Sequence, residues 1–351
     1  MTEAFGNPSS AHRLGIEAAR LLTQARRRLA KVIASEESEI IFTSGGTEAN
    51  ALAVVGAAAA ARGLHIVLSA FEHPSVADSA SDLEKRGFSV ARVAPQKSGL
   101  LDTDALLSAL REDTAVCALL WVHNELGVVQ PVAQLASAIK ARAPACHLHF
   151  DAVQALGKVA IDVSALGADS LSFSAHKIHG PKGAGALYLR KGARIEPRSF
   201  GGGQERGLRQ GTEAVPSLAA FGLAVELAEA ARPAAMQTIG ELSSLLFSLL
   251  REALPDVVRH GDAAHLAPHI LSLGFPHTAA EPLLHALEAR GVFVSAGSAC
   301  HARSRRPSAT LQALAVPEHM ATLRFSLSRL TTRAEVELAA KQVVAAKREI
   351  A

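Results

Sequence analysis

Ser172-Phe173-Ser174-Ala175-His176-Lys177-Ile178-His179-Gly180-Pro181-Lys182-Gly183 is an apolar strand pattern that breaks into a Gly-rich loop. Upstream, His149-Phe150-Asp151-Ala152-Val153-Gln154 repeats the arrangement, an apolar run with polar residues at its end. Two such runs in succession are what neighbouring strands of one parallel sheet look like, each with its polar residues at the carboxyl end. A lysine by itself is by default a solvated surface residue. Held at a strand end beside hydroxyl and imidazole groups, Lys177 is placed to condense with an aldehyde. Asp151 adds a carboxylate able to keep a heteroaromatic ring nitrogen protonated.

The same alternation runs outward through the first two thirds of the chain. Strand-like runs at Glu39–Phe42, His65–Leu68, Ser89–Val93, Val116–Trp121, His147–Phe150, Ser170–Phe173 and Gly185–Leu189 are interleaved with segments of helical period. Ala49–Ala61 and Val132–Arg142 are examples, the latter after Pro131, a good first helical residue. This predicts an α/β fold: a mostly parallel seven-stranded sheet covered by helices, with ligands at the carboxyl ends of the strands. Arg232-Pro233 interrupts a helical pattern that resumes toward Leu250, which sets a boundary near residue 235. A large domain over 1–235 and a smaller C-terminal α/β domain over 236–351 are expected. In the second, strand-like Ile270–Phe275, Val292–Val294 and Leu323–Leu327 are separated by helix-like Pro282–Ala289 and Ser308–Leu314, and an amphipathic helix over Arg333–Ile350 closes the chain.

With 351 residues, 49% apolar and 20% charged, the chain is long enough for a well-buried core. The net charge of +3 is dispersed, with only short clusters at Arg26-Arg27-Arg28 and at Arg303, Arg305 and Arg306, so no direct nucleic-acid binding is expected. The first cluster reads as the solvated face of a helix. Cys117, Cys146 and Cys300 share no metal-ligand spacing and are too few for a disulfide framework, so no metal site is expected. Cys117 and Cys146 lie in apolar runs and read as small buried hydrophobes. Cys300, in Ser295-Ala296-Gly297-Ser298-Ala299-Cys300-His301, sits beside polar and basic residues, which suits either a reactive thiol or an incidental one. The longest apolar stretch, Ala51 to Ala61, is too short to span a bilayer, and no secretory signal follows Met1. The expectation is a protein of a reducing compartment, the cytoplasm, with no membrane partner.

Other strand ends carry chemistry as well. Thr43-Ser44-Gly45-Gly46-Thr47-Glu48-Ala49-Asn50 follows a strand and opens a helix, whose free N–H groups and dipole make an anion site or, more plainly, a capped turn. Gly45 and Gly46 allow close approach of a phosphate, and Thr47 adds a hydroxyl. His73, in Glu72-His73-Pro74-Ser75, is a helix-capping residue or a group stacked over a ring. Trp121-Val122-His123-Asn124-Glu125-Leu126-Gly127 offers an amide at another strand end. Phe200-Gly201-Gly202-Gly203-Gln204-Glu205-Arg206-Gly207, followed by Arg209-Gln210-Gly211-Thr212, is too Gly-rich for regular structure. Lysine, aspartate and anion site together fit pyridoxal 5'-phosphate, which needs a lysine for its aldehyde and an aspartate for its ring nitrogen.

In their order and spacing these motifs closely resemble the cysteine desulfurases, class V enzymes of the pyridoxal-phosphate fold type I, the aspartate-aminotransferase-like fold. The resemblance runs from Phe5-Gly6-Asn7-Pro8-Ser9-Ser10 through Ser44–Asn50, Glu72–Ser75, Asn124–Gly127, Asp151–Gln154, Ser174–Lys177, Gly201–Thr212 and Ser295–Cys300 to Arg324-Phe325-Ser326-Leu327-Ser328-Arg329. The cysteine context, followed by Pro307-Ser308, is similar to the NifS/IscS type. The resemblance implies L-cysteine as substrate, alanine as product and a persulfide on Cys300 for a sulfur-acceptor protein or an iron–sulfur scaffold. It implies that Lys177 carries the cofactor and moves the Cα proton, Asp151 holds the ring nitrogen, Gln154 the phenolic oxygen, and His73 the ring face. Gly46, Thr47, Ser174 and His176 would bind the phosphate, Thr212 would reach the phosphate of the other subunit of a homodimer, and Arg324 with Asn124 would hold the substrate carboxylate.

Two departures from the family stand out. The family opens with a further segment bearing an Asp-Asn-Ala-Ala-Thr-Thr-like motif, and here Met1 falls just before Gly6-Asn7-Pro8. His123 stands where the family commonly has asparagine. A selenocysteine lyase shares the implied cofactor residues and is the enzymatic rival. A sulfur carrier or scaffold that has lost turnover through the missing segment is the rival of another class.

Overall fold

The computed structural model describes residues 5–296, 309–317 and 319–350. All seven expected runs of the first two thirds form strands. β1 (Ile40–Thr43), β2 (His65–Ser69), β4 (Thr114–Leu120), β5 (His147–Asp151), β6 (Ser170–Ser174) and β7 (Gly185–Leu189) are buried at every position, whereas β3 (Ser89–Val93) buries only Val93. Both faces of the inner strands are covered, so their sequences read as continuous apolar runs, and β3 is an edge. The order is β1-β7-β6-β5-β4-β2-β3. Only β7 runs against its neighbours β6 and β1; the other pairings are parallel. The expected mostly parallel seven-stranded α/β sheet is therefore borne out.

Among the helices of this unit are α1 (Arg13–Ile33), α2 (Gly46–Ala60), α3 (Pro74–Lys85), α4 (Thr103–Ala109), α5 (Val132–Arg142) and α6 (Val163–Leu166). α2 is apolar nearly all round because it is a core helix: Ala49, Leu52, Ala53, Val54 and Val55 are buried with Ile41, Ile66, Leu68 and Leu187 in one cluster. α1 revises one reading. Arg27 and Arg28 are solvated, but Arg26 turns inward, with its guanidinium 4.6 Å from the centre of the Phe42 ring and paired to Glu205.

A second revision concerns Pro233. The helix does not break there: α7 (Val215–Ala253) is continuous over 39 residues with Pro233 inside. One missing N–H is tolerated because the Ala- and Leu-rich flanks hold the helix on either side.

The chain divides into two compact units. One holds the chain up to Val93, Asp102–Val122 and Pro131–Ala231; the other holds Ala94–Leu101, His123–Gln130 and the chain from Arg232 onward. The sequence reading put residues 94–101 and 123–130 with the first unit, and hydrogen bonds explain the difference. Gln130 donates to the Gly99 carbonyl (2.8 Å) and accepts from Leu101 N–H (2.9 Å), Asp262 N–H donates to Ser98 O (2.9 Å), and Ala267 N–H to Gly127 O (2.8 Å).

In the second unit β8 (Val258–Arg259), β9 (Ile270–Pro276), β10 (Ser295–Ala296) and β11 (Met320–Ser326) form an antiparallel sheet in the order β10-β11-β9-β8. α8 (Ala280–Glu288), α9 (Ala309–Ala313) and α10 (Arg333–Glu349) accompany it. Leu271, Leu273, Phe275, Leu323 and Phe325 pack with Leu283, Leu287, Val336 and Val343. The alternation at Val292–Val294 marks partly buried side chains on that core, but strand pairing begins only at Ser295.

Candidate active site

β1, β2, β4, β5 and β6 run in one direction, so the residues that leave their carboxyl ends gather along one edge of the sheet. Thr43 leads there into Gly45 and α2, β2 into Glu72 and His73, β5 ends on Asp151, and β6 ends on Ser174 just before Lys177. β5 and β6 are adjacent, with Asp151 opposite Ser172 in register. Placement of ligand-handling groups along such an edge follows from the topology itself.

At the α2 end, Gly45 is the N-cap and supplies no side-chain acceptor, which leaves first-turn N–H groups available to an anion. The backbone is drawn in tightly. A Cβ on Gly46 would lie 2.5 Å from Val153 Cγ2, and one on Gly185 would lie 2.5 Å from Gly45 Cα. Thr47 is exposed on the first turn. Ser174 Oγ lies 2.8 Å from His176 Nδ1. Burial, and then the charges of Lys177, Lys182 and Lys158, push the His176 imidazole below its ordinary value, which favours the neutral ring. Lys177 is exposed, and Lys158 Nζ donates to its backbone carbonyl. Lys158 is itself pushed down to about 8, by burial first and by the charge of Lys177 second.

Asp151 is buried and surrounded by donors: Asn50 Nδ2 (2.7 Å), Val153 N–H (3.0 Å) and Ser172 Oγ (3.4 Å). Its carboxylate is therefore held as an acceptor. His73 caps α3, with Nδ1 accepting from Ser75 N–H at 3.1 Å and lying 2.7 Å from Ser75 Oγ. Glu72, next to it, is buried; it accepts from Leu120 N–H (2.9 Å) and Ser69 Oγ. Burial, with the charge of Asp151 adding to it, raises Glu72 to about 8. Gln154 lies half-buried in the turn after β5, and Thr212 lies exposed in the loop before α7.

Arg324 and Asn124 both belong to the second unit. Arg324, on β11, donates Nη1 to Asn124 O (2.9 Å) and Nη2 to Ser295 Oγ (3.3 Å). The preceding His123 is fully buried, with Nδ1 accepting from Glu125 N–H (3.0 Å) and Leu126 N–H (3.2 Å) and Nε2 3.2 Å from Thr310 Oγ1. That is the turn-closing bond an asparagine oxygen makes, so the histidine substitutes for it in kind. Cys300 lies outside the described residues.

The sequence motifs contain Asn50, Glu72, Ser75 and His149, but local pattern assigns none of the four a role. The signal was four polar residues in or beside runs otherwise apolar, positions where burial demands a partner.

The family model for class V aminotransferases matches residues 1–338. The chain belongs to the class V aminotransferase family. Among curated members, it is 40% identical over 344 residues to the cysteine desulfurase IscS of Escherichia coli K12, covering 96% of this chain and 84% of that one. A solved NifS-like protein superposes with a TM-score of 0.92 at 34% identity, over 98% of this chain and 92% of the other. SspA, solved in complex with cysteine, gives a TM-score of 0.83 at 32% identity, over 95% and 93%. Members of this family depend on pyridoxal phosphate. The residues present fit that group: Asp151 as an acceptor for a protonated ring nitrogen, Lys177 as an exposed amine, and the glycine-tight, uncapped start of α2 for a phosphate. Among the described residues, no helix is long and apolar enough to cross a membrane.

Proposed function

We propose that this chain is a pyridoxal-phosphate-dependent cysteine desulfurase that converts L-cysteine to L-alanine and takes the sulfur onto Cys300 as a persulfide. The observation that carries the reading is the gathering of Asp151, Lys177 and the uncapped α2 N-terminus along one sheet edge. The bound cofactor supplies an electron sink for the carbon framework of the amino acid. Asp151 would hold the protonated ring nitrogen of that group, Gln154 its phenolic oxygen, and His73 would lie against its ring. Gly46, Thr47, Ser174 and His176 would hold its phosphate. Lys177 retains the cofactor and carries the proton at the substrate Cα. Arg324 and Asn124 receive the substrate carboxylate.

Cys300 attacks the substrate sulfur as a thiolate. The S–S bond forms as the Cβ–S bond breaks, the electron pair stays with the carbon framework, and protons returned there complete L-alanine. Thr212 of a second copy reaches the phosphate, which makes the working unit a homodimer. Its product sulfur passes to an acceptor protein or an iron–sulfur scaffold in the cytoplasm.

The test is the visible absorption of the purified protein, followed by alanine and sulfide assays with L-cysteine under reductant. A visible band that Lys177→Ala abolishes, with alanine formation lost in Cys300→Ala, is expected. Wild type that shows no band after added cofactor and behaves like Lys177→Ala overturns the proposal.

A further inference from the structure

An uninterrupted line of buried polar side chains runs behind Asp151. His147 Nε2 lies 2.8 Å from Ser170 Oγ, which lies 2.9 Å from His149 Nδ1; His149 Nε2 lies 2.9 Å from Asn50 Oδ1. Asn50 Nδ2 reaches both Asp151 Oδ2 (2.7 Å) and Ser75 Oγ (2.8 Å), and Ser75 Oγ lies 2.7 Å from His73 Nδ1. His147, His149, Ser170, Asn50 and Ser75 are all buried.

The chemistry of the groups leaves one direction for the hydrogens. Asp151 accepts from Val153 N–H, so the amide edge that Asn50 turns to it is the donor, and Oδ1 faces His149. An amide oxygen only accepts, so His149 carries its proton on Nε2. Burial, helped by the charge of His147, holds His149 down at about 3 and burial holds His147 at about 4, so both rings are neutral. His149 Nδ1 then accepts from Ser170 Oγ–H, and Ser170 accepts from His147 Nε2–H. Asn50 spends both amide hydrogens, one on Asp151 and one on Ser75. Ser75 must aim its own hydrogen at His73 Nδ1, where Ser75 N–H also points.

We infer that Asn50 is a positioning residue that fixes the imidazole of His73 in the Nε2–H tautomer while it holds Asp151 as an acceptor. His73 then presents a hydrogen-bond donor from Nε2 and has no lone pair there with which to act as a base. Its part in the reaction is that of a neutral ring and donor, with proton movement left to Lys177. The inference rests on the proposed function only for the identity of the group that His73 and Asp151 serve.

The test is 15N NMR of histidine-labelled holoenzyme, with His73 assigned by comparison with His73→Gln. An Nε2–H, Nδ1-unprotonated signature for His73 in wild type is expected. Asn50→Asp offers Ser75 Oγ–H an acceptor and withdraws the amide donors, so the Nδ1–H form of His73 should grow, the visible band should shift, and kcat should fall by about tenfold with KM for L-cysteine little changed. Ser75→Ala should move the same nuclear signature without touching Asp151. A wild-type His73 that is Nδ1–H or doubly protonated at neutral pH overturns the inference. So does an Asn50→Asp protein with the wild-type signature. The imidazole measurement decides the matter whether or not alanine is formed, so a failed desulfurase assay counts against the functional reading alone.

Discussion

Arg26 closes a two-bond fork on Glu205, Nη1 to Oε2 at 2.9 Å and Nη2 to Oε1 at 2.6 Å, while Glu205 Oε2 also accepts from Phe42 N–H at 2.8 Å. The pair ties α1 to β1 and to the Gly-rich loop. Removal of one partner leaves a buried charge without its counterion, so Arg26→Ala should cost about 3–5 kcal/mol of stability. Arg26→Lys should recover part of that, because an ammonium keeps the charge and loses the fork. Urea unfolding of the three proteins measures both.

Glu72 gives a pH-dependent term of definite sign. The unfolded chain releases this proton near its ordinary value of 4.5, while the folded protein holds it to about 8. Between those values the folded state binds more protons, so the term lowers stability as pH rises and levels off above about 8. Glu72→Gln keeps an acceptor for Leu120 N–H and removes the titration. The variant should gain on wild type steadily from pH 5 to pH 8 (about the window between the two values), as read from denaturant midpoints. A constant difference across that range would argue against a neutral Glu72.

His123→Asn should be tolerated, because an amide oxygen can accept from Glu125 and Leu126 N–H as the imidazole does. His123→Ala leaves buried donors unpaired and should cost about 1–3 kcal/mol. Chemical denaturation of both variants makes the comparison.

Arg324→Lys replaces a planar fork held by Asn124 O and Ser295 Oγ with a point charge. The proposed carboxylate role predicts KM for L-cysteine raised by about tenfold or more with a smaller change in kcat. Steady-state kinetics on the cofactor-loaded enzyme read both constants.

The strands of the first unit were legible because burial on both faces leaves no polar alternation to confuse the pattern, and so were the positions of Asp151 at the end of β5 and of Lys177 in the turn just after β6. The roles of Asn50 and Arg26 were not, since their partners lie far off in sequence: Asp151 and His149 for one, Glu205 for the other. Local periodicity cannot register a hydrogen bond across a fold. The same reason hid residues 94–101 and 123–130, whose bonds are to each other and to residues beyond 260. Pro233 misled in the opposite sense, since a rule for isolated helices was overruled by strong helix formers on either side.

The scattering of the second unit along the sequence bears on biosynthesis. A chain made from its amino end completes β1 to β7 by Leu189, so the first sheet can assemble while the rest is still being translated. Residues 94–101 and 123–130 emerge early, yet Asp262, His265 and Ala267, to which they bond, are made more than a hundred residues later. For that interval the two short segments have each other, through Gln130 with Gly99 and Leu101, but lack the later residues they also bond to. The second unit can close only when the ribosome is nearly finished.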